Sequence, residues 1–287
     1  MLGGPSLRKR SAALVNDDLL IDLGPDIMAA SHMHSCSLDN VQYCLQTHPH
    51  TDHLDLSHLL SRSPEYGVVG APVLNVYASH ETSERAAETF ERNLAGYSLL
   101  SSEAEKRLNF KIHEVQPLEP FMVGPYSVMA FPANHAPGMG AMLYSIEANG
   151  RAIFYGTDTA ILFEQTWQAF REHKMRFDAV ILDHTYGPEQ PGDDHLNAHQ
   201  VIEHADRMRA EGVLGPQGRV LATHIAHEVI RHTLTWLPSQ NNTGMKWRTM
   251  GWFSRPSAWQ AQDVPSSRCL ARVFIDVSGA ESSAPVG

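Results

Sequence analysis

Cysteine is scarce in this chain of 287 residues: there are three, Cys36, Cys44 and Cys269, and no C-x-x-C pair. An odd number cannot close a fully paired disulfide framework, and three separated thiols are too few for a thiolate zinc cage. A reducing cytoplasm is therefore the expected setting. Long apolar runs are missing too, since no stretch approaches the roughly 18 residues that a membrane-spanning helix requires. The basic start Arg8-Lys9-Arg10 leads through Ser-Ala-Ala-Leu-Val into Asn16-Asp17-Asp18, without the apolar segment of an export signal, so no export is expected. Positive charge is in deficit. With 22 Lys and Arg against 32 Asp and Glu the formal charge is −10, which repels polyanions and anionic membrane surfaces. A nucleic-acid substrate would need a local basic patch.

What the chain does have is histidine, 17 in all, close to the 22 lysines and arginines combined. The length suits one large α/β domain or two small ones, and 43% hydrophobic with 19% charged residues is a globular composition.

Segments rich in β-branched and apolar residues, bounded by Gly, Pro, Asn or Asp, predict strands at Ala12 to Val15, Leu19 to Asp22, Val41 to Thr47, Val73 to Ala78 and Lys111 to Val115. The same signals predict strands at Tyr126 to Ala130, Ala141 to Glu147, Arg151 to Tyr155, Ala179 to Asp183 and Arg219 to Thr223. Ala148-Asn149-Gly150 is a hairpin turn. Helical periodicity predicts helices at Leu54 to Arg62, Ser83 to Leu108, Ala160 to Lys174, Asn197 to Glu211 and His227 to Leu237, with Asn197 as an N-cap and Gly212 as a stop. Strands in runs, then interleaved with helices, favour a mixed sheet pair flanked by helices over a plain doubly wound sheet. The charged region from about Glu81 to Leu108 is either an insertion overhanging a site or a solvated surface helix. Two parts are expected: a catalytic domain over 1–236, and over 237–287 an extension packed on it that holds Trp247, Trp252 and Trp259 and ends in a small polar tail.

The decisive segment is His48-Pro-His50-Thr-Asp52-His53, an HxHxDH pattern where a predicted strand ends. Pro49 keeps the first part extended, so His48 and His50 point the same way and can converge on one ion, while Asp52 and His53 at the turn can face another. Imidazole and carboxylate without thiolate suit Zn²⁺, Mn²⁺ or Fe in an open, catalytic site. A fortuitous surface cluster is the competing reading, weakened by four ligand-type residues falling within six positions after a strand. Further candidates close later strands: His135 in Asn134-His-Ala-Pro-Gly138, Asp158 in Gly156-Thr-Asp158, and His224 after Thr223. Each alone is a weak signal. His135 could be a packed or surface residue, and Asp158 could cap the following helix.

In order and context these motifs resemble the metallo-β-lactamase superfamily over about Leu2 to His232. The resemblance implies an αββα sandwich of two mixed sheets flanked by helices, with a dinuclear site between the sheet edges. It implies that His48, His50 and His135 hold one metal, that Asp52, His53 and His224 hold the other, and that Asp158 bridges. Asp22, in Ile21-Asp-Leu-Gly24, matches the family's DxG turn beneath the site and supports it. Within the superfamily the chain looks most like the phosphoribosyl cyclic phosphodiesterase branch of phosphonate breakdown. Arg10-Ser11, Leu182-Asp-His-Thr-Tyr-Gly187, His195-Leu-Asn197 and Leu221-Ala-Thr-His-Ile-Ala-His227 carry that likeness. Asp52 and His195 are the expected catalytic residues, His195 as the general acid there, with an exposed residue before a helix cap as the alternative for His195. His184 and His227 are the rival site histidines, while His32, His34 and Cys36 could line the mouth but read more simply as loop residues. The family's opening strand and glycine-rich turn are reduced here to Met1-Leu-Gly-Gly-Pro5, and no glycine follows soon after Asp52-His53.

The expected function is thus hydrolysis of a small phosphodiester, cyclic or open, by a hydroxide shared between two divalent ions, zinc first. The alternatives are a lactone, thioester or β-lactam hydrolase of the same fold, a transfer-RNA nuclease disfavoured by the acidic charge, and a non-hydrolytic metabolite-binding protein. A small-molecule ester is the expected partner, with no membrane and with a homodimer possible.

Overall fold

A computed structural model describes residues 9–188, 192–226 and 272–273. Strands β1 (Ala13–Val15), β2 (Leu19–Ile21), β3 (Tyr43–Leu45), β4 (Leu74–Ala78), β5 (Phe110–Glu114) and the short β12 (Arg272–Val273) form one sheet in the order β12-β1-β2-β3-β4-β5. Strands β6 (Pro120–Val123), β7 (Tyr126–Pro132), β8 (Met142–Ala148), β9 (Arg151–Gly156), β10 (Phe177–Asp183) and β11 (Leu214–Thr223) form the second, in the order β11-β10-β9-β8-β7-β6. Both sheets are mixed. β2 to β5 run parallel while β12, β1 and β2 alternate, and β9 to β11 run parallel while β6 to β9 alternate.

The period-two alternation of apolar residues assigns the faces. Ala13, Val15, Leu19, Ile21 and Leu45 point inward and meet Val128, Ala130, Tyr144, Ile146 and Ile181 of the other sheet. Leu14, Leu20, Cys44, Leu74 and Val76 point outward, under helices α1 (Ile27–Met33), α2 (Ser57–Ser61), α3 (His80–Phe90) and α4 (Ser102–Leu108). On the far side Met129, Phe131, Phe154, Val180 and Leu182 pack beneath α5 (Glu164–Glu172) and α6 (Ala198–Ala210). The result is an αββα sandwich.

Several expectations shift. The span Ser83 to Leu108 is not one helix: a π-helical turn at Glu91–Ala95 ends on Gly96 in the left-handed conformation, and Ser101 caps a new helix. Ala86, Ala87, Phe90, Ala104 and Leu108 from this region are buried in the outer core, so it is a packed layer. The elements outside the expected set include the seven-residue α1, the two-residue β12 and the edge strand β6 that opens on Pro120. Proline tolerates the first position of an edge strand, which is why β6 escaped a proline-averse reading. The expected hairpin is there: Asn149 (φ 54°) and Gly150 (φ 70°) turn β8 into β9 with Ala148 opposite Arg151. The expected helix at His227 to Leu237 and the tryptophans that follow lie outside the described residues.

Candidate metal centre

Five strand ends deliver the candidate ligands to one rim. The loop after β3 carries His48, His50, Asp52 and His53; His135 follows β7, Asp158 follows β9, and His224 follows β11. The end of β10 contributes Asp183. Two of these junctions, at Asp158 (φ 55°) and His224 (φ 59°), and the end of β2 at Asp22 (φ 66°) need left-handed backbone at a non-glycine residue. Such conformations cost of order 1–2 kcal/mol each and persist only where surrounding bonds dictate them. Gly24 is required for a different reason, since a Cβ there would stand 2.8 Å from the Asp52 carbonyl oxygen.

His48, His50 and His135 form one convergent set. His48 Nε2 lies 3.0 Å and His135 Nε2 3.2 Å from His50 Nδ1. Asp52, His53 and His224 form a second, with 3.4 Å between the two Nε2 atoms and 3.6 Å from each to Asp52 Oδ2. Asp158 stands between the sets: its Oδ2 is 3.0 Å from His53 Nε2, its Oδ1 is 3.2 Å from His224 Nε2, and it also groups with His48. Asp158 does not cap a helix, because α5 begins only at Glu164 with Phe163 at its N-cap.

The donor set fits divalent cations. Tetrahedral zinc with Zn–N bonds of about 2.0–2.1 Å has edges of about 3.3 Å, the spacing at which these nitrogens face one another. Apart from the ion-pair approach of His53 Nε2, buried Asp158 Oδ2 meets no hydrogen-bond donor, and a cation would satisfy it. The outer nitrogens are tied down. His53 Nδ1 donates to Asp22 Oδ2 (2.6 Å), His224 Nδ1 to Thr185 Oγ1 (2.8 Å) and His135 Nδ1 to the Asp194 carbonyl (3.1 Å), while His48 Nδ1 lies 2.9 Å from Thr47 Oγ1. With those nitrogens engaged, Nε2 is the atom each ring turns inward. Asp22 also accepts from Gln46 Nε2 and from the backbone N–H and hydroxyl of Thr47.

Titration behaviour follows from this crowding. Burial and the neighbouring His53 push His48 down to about 2, so it offers a free lone pair. Burial also opposes charge on His53 and His224, but the carboxylates outweigh it: Asp158 and Asp22 hold His53 well above the ordinary range, and Asp158, Asp52 and Asp183 hold His224 up to about 9. Without a cation, protons on these two rings neutralise the buried carboxylates.

His195 is not an exposed residue. Its Nδ1 donates to Asp183 Oδ2 at 2.7 Å, and its ring packs on His135 (4.8 Å between centroids) and His224 (5.4 Å), one candidate ligand from each set. Burial lowers its proton affinity, but the bond to Asp183 and the charges of Asp183 and Asp158 raise it overall. Asp183 was missed as a functional residue in the sequence, although the Leu182 to Gly187 motif contained it. Its Oδ2 also accepts the Asp158 N–H, and its Oδ1 the N–H groups of Thr185 and Leu196. His184 is buried beside it, with its N–H on the Thr223 carbonyl, and joins none of the ligand groups among the described residues. His227 lies outside the described residues. Cys36 packs in the outer core, and neither it nor His32 nor His34 belongs to a described ligand group.

The family model described as "Beta-lactamase superfamily domain" matches residues 18–225. A new diphosphatase from the PhnP family is similar in structure, at 18% identity over 77% of this chain and 74% of that one, with a TM-score of 0.55. Human tRNase Z, short form, aligns at 16% identity over 79% of this chain and 90% of its own, with a TM-score of 0.56. The metallo-β-lactamase fold protein YhfI from Bacillus subtilis aligns at 18% identity over 74% and 76%, with a TM-score of 0.51. At such identities the likeness is one of fold. No curated protein sequence matches.

Proposed function

The chain belongs to the beta-lactamase superfamily, whose members are generally metal-dependent hydrolases, and from that premise we propose that it is a phosphodiesterase acting on a small phosphodiester. The observation that carries this reading is His195, held by Asp183 and lying against both ligand sets. An alkoxide leaving a phosphodiester is a poor leaving group unless it is protonated, and a raised, carboxylate-paired imidazole is suited to supply that proton. The thiolate that leaves a thioester places less demand on such a donor.

His48, His50 and His135 would hold one divalent cation and Asp52, His53 and His224 the other, with Asp158 shared; zinc is the proposed metal on ligand type, Mn²⁺ or Fe being compatible. When bound, such ions supply Lewis-acid chemistry, acidifying water and neutralising phosphoryl charge. The chain does the rest. Asp22, Thr47, Thr185 and the Asp194 carbonyl orient the rings, and Asp183 keeps the His195 Nδ1–H engaged so that the opposite nitrogen is the one that gives up a proton. Water adds to phosphorus and releases one of its protons to solvent, the P–O bond to the alcohol breaks, the departing oxygen takes the proton from His195 Nε2, and His195 regains a proton from solvent. A homodimer and a cytoplasmic setting remain part of the proposal.

The test is metal analysis of the purified protein coupled to a panel of bis(p-nitrophenyl) phosphate, a cyclic nucleotide, a thioester and a lactone. Metal-dependent turnover of the phosphodiesters is expected. His195→Ala should retain the metals and slow poor-leaving-group substrates by about 10²-fold or more. Turnover of the carbonyl substrates alone would overturn the reading.

A further inference from the structure

Building on the phosphodiesterase reading, we propose that Asp194, braced by Tyr186, forms the subsite for the departing alcohol and selects a leaving group bearing an ammonium over one bearing an anion.

Asp194 is held through both its backbone and its side chain. Its carbonyl accepts the His135 Nδ1–H, which ties its backbone to a candidate metal ligand. Its Oδ1 accepts the Tyr186 hydroxyl at 2.5 Å. The Tyr186 N–H is in turn bound to the Leu196 carbonyl, and its ring stands edge-on to His195 at 5.7 Å between centroids. A carboxylate oxygen of Asp194 and ring nitrogens of His135 and His195 all lie within 4.8 Å of one another. The carboxylate is therefore held beside the imidazole proposed to protonate the leaving oxygen. A group attached to that oxygen by a short chain comes within reach of it.

The chemistry of that contact sets a preference. A carboxylate offers only acceptor oxygens, so it rewards a hydrogen-bond donor, most of all a charged one, and repels an anion. Tyr186 engages one oxygen and holds the plane of the carboxylate, which lowers the entropy lost when the other binds a donor. Asp193 is adjacent in sequence and the chain carries a formal charge of −10, which adds negative charge on this side of the loop, while the His135 and His195 rings beside it favour the ionised carboxylate. The catalytic arrangement uses the Asp194 carbonyl but not its carboxylate, because the His195 proton is managed by Asp183.

The experiment compares two substrates that differ in the far end of the leaving group, the methyl phosphodiesters of ethanolamine and of glycolate, on the zinc-loaded full chain. Wild-type kcat/KM is expected to favour the ethanolamine ester by about tenfold or more, the scale of one charge-assisted hydrogen bond. Asp194→Asn should move that ratio toward one, while Tyr186→Phe, which keeps the charge, should preserve its direction. A merely structural disturbance would slow both esters alike and leave the ratio where it was, and zinc content per chain is measured for each variant. Asp194→Ser replaces Asp194→Asn should the latter fail to fold or to hold zinc. If wild type turns over these esters or bis(p-nitrophenyl) phosphate but shows no preference, or if its preference survives loss of the Asp194 charge, the subsite is refuted and the phosphodiesterase reading stands. If wild type hydrolyses no phosphodiester at all, that reading fails and the subsite with it.

Discussion

Asp22 and His204 show how single side chains in this molecule are committed by their partners. Asp22 is wholly buried, and burial pushes its carboxyl up, while His53 and Thr47 pull it down. It serves the Gln46 amide, the Thr47 hydroxyl and the His53 ring at once, so one carboxylate orients both the HxHxDH loop and the candidate ligand His53. His204 is committed to the neutral form: its Nδ1–H donates to the Gln200 carbonyl at 2.7 Å and its Nε2 accepts the Leu162 N–H at 3.1 Å. Protonation of Nε2 would expel the Leu162 donor, and burial accordingly lowers the pKa of the folded ring. The unfolded ring protonates near about 6.5 and the folded ring only at lower pH, so protons favour unfolding between those two values. The stability due to neutral His204 is thus complete above about 6.5 and is lost as pH falls through the folded value. Urea unfolding of wild type and His204→Gln between about pH 7.5 and 5 should show the gap between them narrowing on acidification. A constant gap would show that His204 does not titrate against folding.

At the scale of elements, the start of α6 links stability to the site. Asn197 accepts the Gln200 N–H at 3.0 Å and Gln200 returns a bond to the Asn197 N–H, a reciprocal cap readable from the sequence at its first half. The residues just before it are bound into the centre, with the Leu196 N–H on Asp183 and the Ala198 N–H on the Gly187 carbonyl. Asn197→Ala should cost about 1 kcal/mol of unfolding free energy and, by loosening the His195 segment, lower kcat for poor leaving groups more than it changes KM. Equilibrium denaturation and steady-state kinetics check the two halves separately. The hairpin at Asn149-Gly150 was legible because its left-handed pair demands those residues, and α6 because its cap and stop are local. The break near Gly96 and the brief helix α1 were not, because seven residues of helix gain their stability from burial of Ile27, Ala30 and Ser31, which no local pattern reports.

For the whole molecule, the important consequence of the sandwich is that the candidate ligands come from both sheets. His48, His50, Asp52 and His53 leave the first sheet, whereas His135, Asp158 and His224 leave the second. Cations held between them would cross-link the layers, so metal binding acts as folding energy. A single site at 100 times its dissociation constant contributes about 2.7 kcal/mol. Removing metal with a chelator should therefore lower Tm by several degrees, and restoring zinc should reverse it. His135→Ala should weaken the gain while leaving the Tm of the metal-free protein little changed. A Tm that ignores both chelator and zinc would sink the metal centre.

By itself the sequence determined whatever depends on neighbours along the chain: the alternation that builds two-faced strands, the Asn-Gly turn, the Asn197 cap, and the HxHxDH loop whose extended start and turn separate two pairs of ligand-type side chains. Only the tertiary structure decided that Asp183 grips His195, that Thr185 lies between His195 and His224, and that Asp194 stands over the same corner. The reason is physical. These partners meet because β10 ends beside β9 and β11 and the following loop folds back across that edge, and a hydrogen bond of 2.7 Å is specified by where backbones cross in space, which spacing in sequence does not encode.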